Sequence, residues 1–508
     1  MTMQMIIEMP LEAKITTSFL SSRGKDIFTT SIYGSPIKIR GKVKSFLSEI
    51  FLWLYPFIIF LRNYLGRRSN YMLEIKKEII SKMEKLGVKY LLLQFTGASG
   101  YLKGVEISKS AFEKADQIGV DGSSIGFLRS KRSDMIIVPD PSTFTIIPWD
   151  PVQDTACVFC DLRSTDSYER IAADPRGILT EINQQLLNEY SASFLARPEM
   201  EFYFLSPDFT PIDKSTYMEL PPKDLGYFLR KEIVRMLDLV NIPFKTFHSE
   251  VGPGQHEVEF QSLPAVQAAD SVQFFKQIVK VITLEQSEWK VTFMPKPFID
   301  EPGNGMHIHQ MVRTKDENVF KGSKNSLSEF AFHFIAGQLY FVPEITAVTN
   351  PTVNSYRRLV PRKEAPVYIT WGVANRTALI RVPGYESDRL EFRAADAASN
   401  IYYTLALLLA AGLEGVKRKI EPPAEADFDA DALSFEELKH RGVDLLPRTL
   451  TEALELFKNS KLVEKVMGKD LQKEYYEARS LEWSEFTKQY SFDKNEITTW
   501  ELDRYLDC

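Results

Sequence analysis

The pattern of apolar and polar positions changes at about residue 72. From Met72 to Leu86 apolar residues recur with helical spacing, and Lys89–Phe95 is a strand-like apolar run that ends at the turn residues Thr96-Gly97-Ala98-Ser99-Gly100. Short strands and turns continue to about Asp161, which predicts a small α/β domain over 72–173. Beyond about Asp174, longer helical patterns such as Asp174–Tyr190 and Asp224–Val240 alternate with strands, and the C-terminal part is mostly helical. This predicts a larger α+β domain over 174–508.

Three strand-like runs in the larger region carry polar groups two residues apart: Glu199-Met200-Glu201, His307-Ile308-His309 and Glu391-Phe392-Arg393. A period of two puts both polar members of each pair on one sheet face and the apolar residue between them on the other. One such pair would be ordinary strand alternation. Three pairs flanked by Phe, Leu and Met are different, because carboxylates in apolar surroundings are costly unless paired or coordinated. A fourth segment, from His248 to Glu257, sets Glu250 and Glu257 on either side of Gly252-Pro253-Gly254, and hairpin geometry brings them together. Five glutamates and one histidine thus qualify as ligands, and oxygen-rich sets with an occasional imidazole suit Mg²⁺ or Mn²⁺. Arg358, Arg376, Arg381, Arg389 and Arg393 cluster downstream. Divalent ions plus fixed guanidinium groups are what phosphoryl transfer requires, and neither GxxxxGK[ST] nor GxGxxG is present to supply it another way.

Composition narrows the partners. A net charge of −6 over 508 residues gives no general pull toward nucleic acid. Three cysteines, Cys157, Cys160 and Cys508, are too few for a disulfide framework and suit a reducing compartment such as the cytoplasm. Cys157-Val158-Phe159-Cys160 has redox or zinc spacing, but its strand context puts the two thiols on opposite faces and predicts plain core. Residues 1–71 hold ten Lys and Arg against four Asp and Glu, unlike the acidic remainder. They read as an extension, ill-ordered or lying upstream of a true start at Met72, and the apolar stretch Ile50–Leu61 is too short to span a membrane but could lie in an interface.

Taken in order, Val120-Asp121-Gly122-Ser123-Ser124-Ile125, Pro198-Glu199-Met200-Glu201-Phe202, the Glu250–Phe260 hairpin and Met294-Pro295-Lys296-Pro297 resemble type I glutamine synthetases. So do Gly305-Met306-His307-Ile308-His309, Asn350-Pro351-Thr352-Val353-Asn354-Ser355-Tyr356 and Leu390-Glu391-Phe392-Arg393. The resemblance runs from about Lys76 to the C-terminus. It implies an α+β fold: a small β-grasp-like N-terminal domain, then a catalytic domain whose curved antiparallel sheet forms a funnel between adjacent subunits of a dodecamer. It also implies a cytoplasmic enzyme of glutamine biosynthesis that joins glutamate to ammonia with ATP, through γ-glutamyl phosphate. By matching position, Glu201, Glu250 and Glu257 hold one Mg²⁺ or Mn²⁺, and Glu199, His307 and Glu391 the other. Arg376, Arg381 and Arg393 match phosphate-holding arginines, Arg358 the glutamate-gripping arginine, and Glu364 the flap base. His309 and Arg389 match nucleotide-side positions, and Gly303 belongs to the glutamate-binding loop.

Departures from that pattern leave the acceptor open. Gly97 stands where ammonia-using members carry an ammonium-binding Asp, which admits a small organic amine as the acceptor. Arg362-Lys363 precede Glu364 where the family has Gly-Tyr, and Pro302 replaces an Asn of the glutamate loop. No tyrosine lies between Arg418 and Leu446, where adenylylated members carry the modified residue. A non-catalytic assembly with the same fold is the other alternative.

Overall fold

The computed structural model describes residues 72–124, 134–323, 326–384 and 388–508, together with the backbone of four strands within the first 71 residues. Those four, β1 (Met3–Ile7), β2 (Ile15–Ser22), β3 (Lys25–Ile32) and β4 (Ser35–Ile39), pair in sequence order as an antiparallel meander. The apolar stretch Ile50–Leu61 lies outside the described residues. Among the described residues, no helix is long and apolar enough to cross a membrane.

A second sheet is built from β5 (Tyr90–Thr96), β6 (Leu102–Ser108), β7 (Gly119–Asp121), β8 (Asp134–Pro139), β9 (Thr145–Ile146) and β10 (Thr155–Ser164). Its order is β6-β5-β10-β8-β7, with β9 on β10, and β5 and β10 run parallel. Cys157 and Cys160 in β10 are both buried as free thiols, and burial pushes the Cys157 thiol up to about 12. They are core, as the strand context predicts.

The large sheet contains β11 (Ser193–Leu205), β12 (Phe244–Ser249), β13 (Gln255–Phe260), β14 (Leu263–Pro264), β15 (Lys290–Thr292), β16 (Met306–Arg313), β17 (Tyr368–Val373), β18 (Ala378–Val382) and β19 (Leu390–Phe392). Its order is β12-β13-β11-β16-β19-β18-β17, with β14 and β15 also on β11. It is antiparallel except for the β17–β18 pair. Local chemistry sets the helices behind it. Asp174 precedes a helix that starts with Pro175 and ends where Ser191 turns left-handed; Asn400 caps the helix Ile401–Arg418 by accepting from the Tyr402 and Tyr403 amides. This last helix crosses Glu329–Thr349 at Gly415 and Gly337, where a Cβ on either residue would meet the other's backbone within 2.7 Å.

One buried cluster holds the small sheet to the catalytic layer. Arg176, at the start of helix Pro175–Tyr190, reaches Asp140 and Asp161 at 2.7 Å each and Asp270 of helix Ala265–Gln286 at 3.1 Å; Tyr402 donates to Asp270 at 2.6 Å. Three carboxylates converge on Arg176, a residue 6 % exposed, and Asp161 also has Arg163 Nη2 at 3.5 Å. Arg176→Met leaves the buried Asp270 without its guanidinium and is expected to cost about 3–5 kcal/mol. A urea titration followed by tryptophan fluorescence checks this; a midpoint equal to the parent's would show the cluster to be dispensable.

Candidate active site

The site grows out of strand alternation. On β11, Arg197, Glu199 and Glu201 share a face, while Met200 and Phe202 sit on the other, fully buried. Antiparallel pairing sets Glu199 opposite Glu259 of β13 and His307 of β16, and Glu201 opposite Glu257. His309 lies opposite Glu391 of β19, and Glu391 opposite Arg381 of β18. The face so formed lines a cavity of about 1130 Å³. All fourteen residues singled out from the sequence line it: Glu199, Glu201, Glu250, Glu257, His307, Glu391, His309, Gly303, Arg358, Glu364, Arg376, Arg381, Arg389 and Arg393.

Two parts of the carboxylate set differ electrostatically. Glu391 accepts from Arg381 Nη1 and Arg393 Nη1, both at 2.6 Å, and Glu199 meets His309 Nε2 at 2.7 Å and His307 Nδ1 at 3.4 Å. Burial opposes ionisation of both, but hydrogen bonds from His307 and His309 hold the Glu199 carboxyl well below its ordinary range, and Arg393 holds that of Glu391 down. On the other side His248 compensates only in part. Burial and the neighbouring Glu201 and Glu257 push Glu250 up to about 8, and burial with Glu199 and Glu201 pushes Glu257 well up.

The described residues form four groups whose ligand atoms lie within 4.8 Å of one another: Glu199-His307-Glu391, Glu199-Glu259-His309, Glu201-Glu257-His307 and His248-Glu250-Glu257. The first is one of the ligand sets expected from the sequence. The other expected set, Glu201, Glu250 and Glu257, is divided between two groups that share Glu257. Carboxylates that raise one another's proton affinity across a buried gap, with oxygen and imidazole donors converging on it, are what a divalent ion fits.

A different wall holds the loop from Glu301 to Gly305. Tyr203 Oη donates to the Pro302 carbonyl at 2.7 Å, Gln255 Nε2 to the Gly303 carbonyl at 3.1 Å, and Lys296 Nζ to the Glu301 carbonyl. Pro302 therefore serves as an acceptor here. Arg358 is buried behind this loop, with Nη1 on the Ala394 carbonyl at 2.7 Å; a Cβ on Gly305 would fall 2.6 Å from its Nη2. Burial and the Lys363 charge push Lys296 down to about 8. Glu364, on the flap, is raised by burial and by Glu201. The sequence leaves the direction of Arg362 open. In the fold its backbone is left-handed (φ 64°), its amide donates to Asp431 Oδ1 at 2.8 Å, and its guanidinium to the Leu433 carbonyl at 3.4 Å. Gly97 does not line the cavity of its own chain; its carbonyl accepts from Asn400 Nδ2 at 3.3 Å.

Both parts of the chain match known family models: the beta-Grasp domain of glutamine synthetase over residues 87–165, and the glutamine synthetase catalytic domain over residues 172–505. The chain belongs to the glutamine synthetase family. It is 40% identical to the glutamine synthetase of Thermococcus kodakarensis over 433 residues, 82% of this chain and 96% of the relative. It is 37% identical to that of Clostridium saccharobutylicum over 446 residues, 85% of this chain and 98% of the relative. Among solved structures, GmaS matches without ligand at TM-score 0.73 and in an ADP complex at 0.74; each is 26% identical and covers 85% of this chain.

As a glutamine synthetase relative, the chain holds more site residues than its sequence pattern singles out. Arg197 and Glu259 pair at 2.8 Å, and each continues the period-two series by one step, from Glu199 and from Glu257. His248 faces Glu257 at 3.3 Å, directly opposite it in the β12–β13 register. Lys296 has no periodic signal, because it lies in a loop.

Glu257 belongs to two of the groups that could hold an ion, so Glu257→Gln is expected to weaken Mn²⁺ binding by about tenfold or more. Isothermal titration calorimetry of the apo-protein measures this without turnover, and parental affinity would remove Glu257 from the ligand set.

Proposed function

We propose that the fourteen residues act as the ligase site of this glutamine synthetase relative. The reaction is ADP-forming: the glutamate γ-carboxylate attacks the γ-phosphorus of ATP, ADP leaves, and ammonia displaces phosphate from the resulting γ-glutamyl phosphate. The observation that carries the reading is the convergence of the carboxylate and arginine sets on one cavity. Glutamine synthetases use divalent metal ions and ATP. Here Glu199, His307 and Glu391 would hold one Mg²⁺ or Mn²⁺, and Glu201, Glu250 and Glu257 the other, supplying charge neutralisation for the phosphates.

The chain's own residues do the rest. Arg376, Arg381 and Arg393 face the transferring phosphoryl group, where fixed guanidinium charge is worth most in the transition state. Arg358 and Gly303 bind glutamate, while His309 and Arg389 serve the nucleotide side. Glu364, raised toward neutrality, accepts the proton of the incoming amine, which must be neutral to attack. The assembly proposed is a cytoplasmic homo-oligomer, a dodecamer with sites between subunits. A second reading, a small organic amine as acceptor, rests on Gly97, which offers no side chain to an ammonium ion.

Arg376→Ala is expected to lower kcat by about 10²–10³ with folding unchanged. Unchanged kcat with a raised ATP KM would reduce it to a binding group. ADP release measured against a panel of ammonia, methylamine, ethylamine and ethanolamine tests both acceptor readings at once, and no release with any of them would sink the ligase reading. Gly97→Asp is expected to shift kcat/KM toward ammonia by about fivefold, on the order of 1 kcal/mol. A parent that already prefers ammonia, with a ratio the substitution leaves unmoved, would make Gly97 a turn residue only.

A further inference from the structure

The C-terminal helix Thr499–Tyr505 lies outside the cavity lining, yet it reaches the segment that carries Arg358. Its Glu501 is fully buried. Arg357 Nε donates to Glu501 Oε1 at 3.1 Å and Arg357 Nη2 to Oε2 at 2.9 Å, with both side chains at 0% exposure. Asn354 Nδ2 donates to the same Oε1 at 3.1 Å. The Asn354 amide side chain then clasps Lys296 from both sides: its Oδ1 accepts from the Lys296 amide at 2.7 Å, and its Nδ2 donates to the Lys296 carbonyl at 3.0 Å. Thr498 Oγ1 donates to Glu501 Oε2 at 2.9 Å, completing a capping box that fixes the carboxylate rotamer.

These bonds form a continuous path from Glu501 to two residues of one cavity wall. One branch runs through Arg357 to its chain neighbour Arg358; the other runs through Asn354 to Lys296, which holds the Glu301 carbonyl. Nearby bonds from the same C-terminal stretch reinforce it: Lys494 Nζ donates to the Leu359 carbonyl at 2.9 Å, and the Val353 amide to Tyr505 Oη at 3.4 Å. No branch touches the wall of Arg197, Glu259 and Arg389. A buried ion pair is a costly way to secure a helix alone, since apolar packing of the same volume does that as well or better. Its directional bonds instead fix two side chains whose placement matters.

We infer that Glu501 is a positioning residue for the glutamate end of the cavity, acting through Arg357 and Asn354 on Arg358 and Lys296. The inference rests on the ligase reading for the identity of the substrate at that end. It predicts a split between substrates that a general loss of fold would not produce.

The test uses the assembled full chain, with glutamate and ATP varied separately. Thr498→Val removes the hydroxyl that donates to Glu501 Oε2 and caps the Glu501 amide, and is expected to raise the glutamate KM by about fivefold, while Glu501→Gln raises it by about tenfold or more. In both, the ATP KM stays within about twofold of parent, and Thr498→Ser, which keeps the hydroxyl, restores the parental glutamate KM. If Glu501→Gln fails to fold, Thr498→Val and Thr498→Ser carry the comparison. A glutamate KM at the parental value in Thr498→Val, or parallel changes in both KM values, overturns the inference. Calorimetric glutamate binding to the same proteins reads the effect without turnover, so an inactive parent would count against the ligase reading and not against this one. A parent that binds glutamate no more tightly than Thr498→Val would overturn it.

Discussion

The structure is organised around carboxylates that repel one another. Glu199, Glu201, Glu250, Glu257 and Glu391 face one cavity, and two unit charges about 4 Å apart interact by about 4 kcal/mol at an effective dielectric near 20. Only a stiff scaffold keeps such groups in place. Here the scaffold is β11, thirteen residues long and paired with β13 and β16 on its two sides, its underside of Met200, Phe202 and Phe204 fully buried. Moving Glu199 or Glu201 to the other face would require β11 to slip by a residue, which would put that apolar set into the cavity instead.

The charge is balanced unevenly, and that division organises the chemistry. Glu199 contacts His307 and His309, while Glu391 accepts from Arg381 and Arg393. Glu250 and Glu257 lie beside His248, at 3.7 and 3.3 Å, and burial with the neighbouring carboxylates raises the proton affinity of both, which a divalent cation would relieve. The two halves share His307, which approaches Glu199, Glu201 and Glu391 at 3.4, 4.0 and 3.9 Å. One imidazole thus stands between the two carboxylate groups.

Support for the sheet comes from buried polar clusters some distance from the chemistry. Arg176 gathers carboxylates from the small sheet and from helix Ala265–Gln286, and Glu501 gathers donors from the loop beneath Arg358. Each is an ionic knot whose members come from chain segments far apart in sequence. Directional bonds of this kind hold a rotamer as well as a distance, which apolar packing does less strictly. The same reasoning fits the crossing at Gly337 and Gly415, where the absence of side chains lets two long helices approach closely.

The sequence by itself determined the local part of the site. Strand period two put Glu199 with Glu201, and His307 with His309, on common faces; the Gly252-Pro253-Gly254 turn brought Glu250 to Glu257; and the hydrophobic surroundings of Cys157 and Cys160 marked them as core. These are consequences of backbone geometry over a few residues, so they can be read without a fold. One further step of the same rule reaches Arg197 and Glu259. Other features depended on contacts between segments far apart in the chain: the strand order that sets Glu199 against His307, the division of the expected Glu201-Glu250-Glu257 set between two groups, the turn of Arg362 to Asp431, and the brace from Glu501 to Lys296. No local pattern encodes them, because each arises only where the folded backbone brings two distant segments within the few ångströms that a hydrogen bond or an ion pair requires. Periodicity therefore decided which faces carried the chemistry, and tertiary packing decided which groups on those faces became partners.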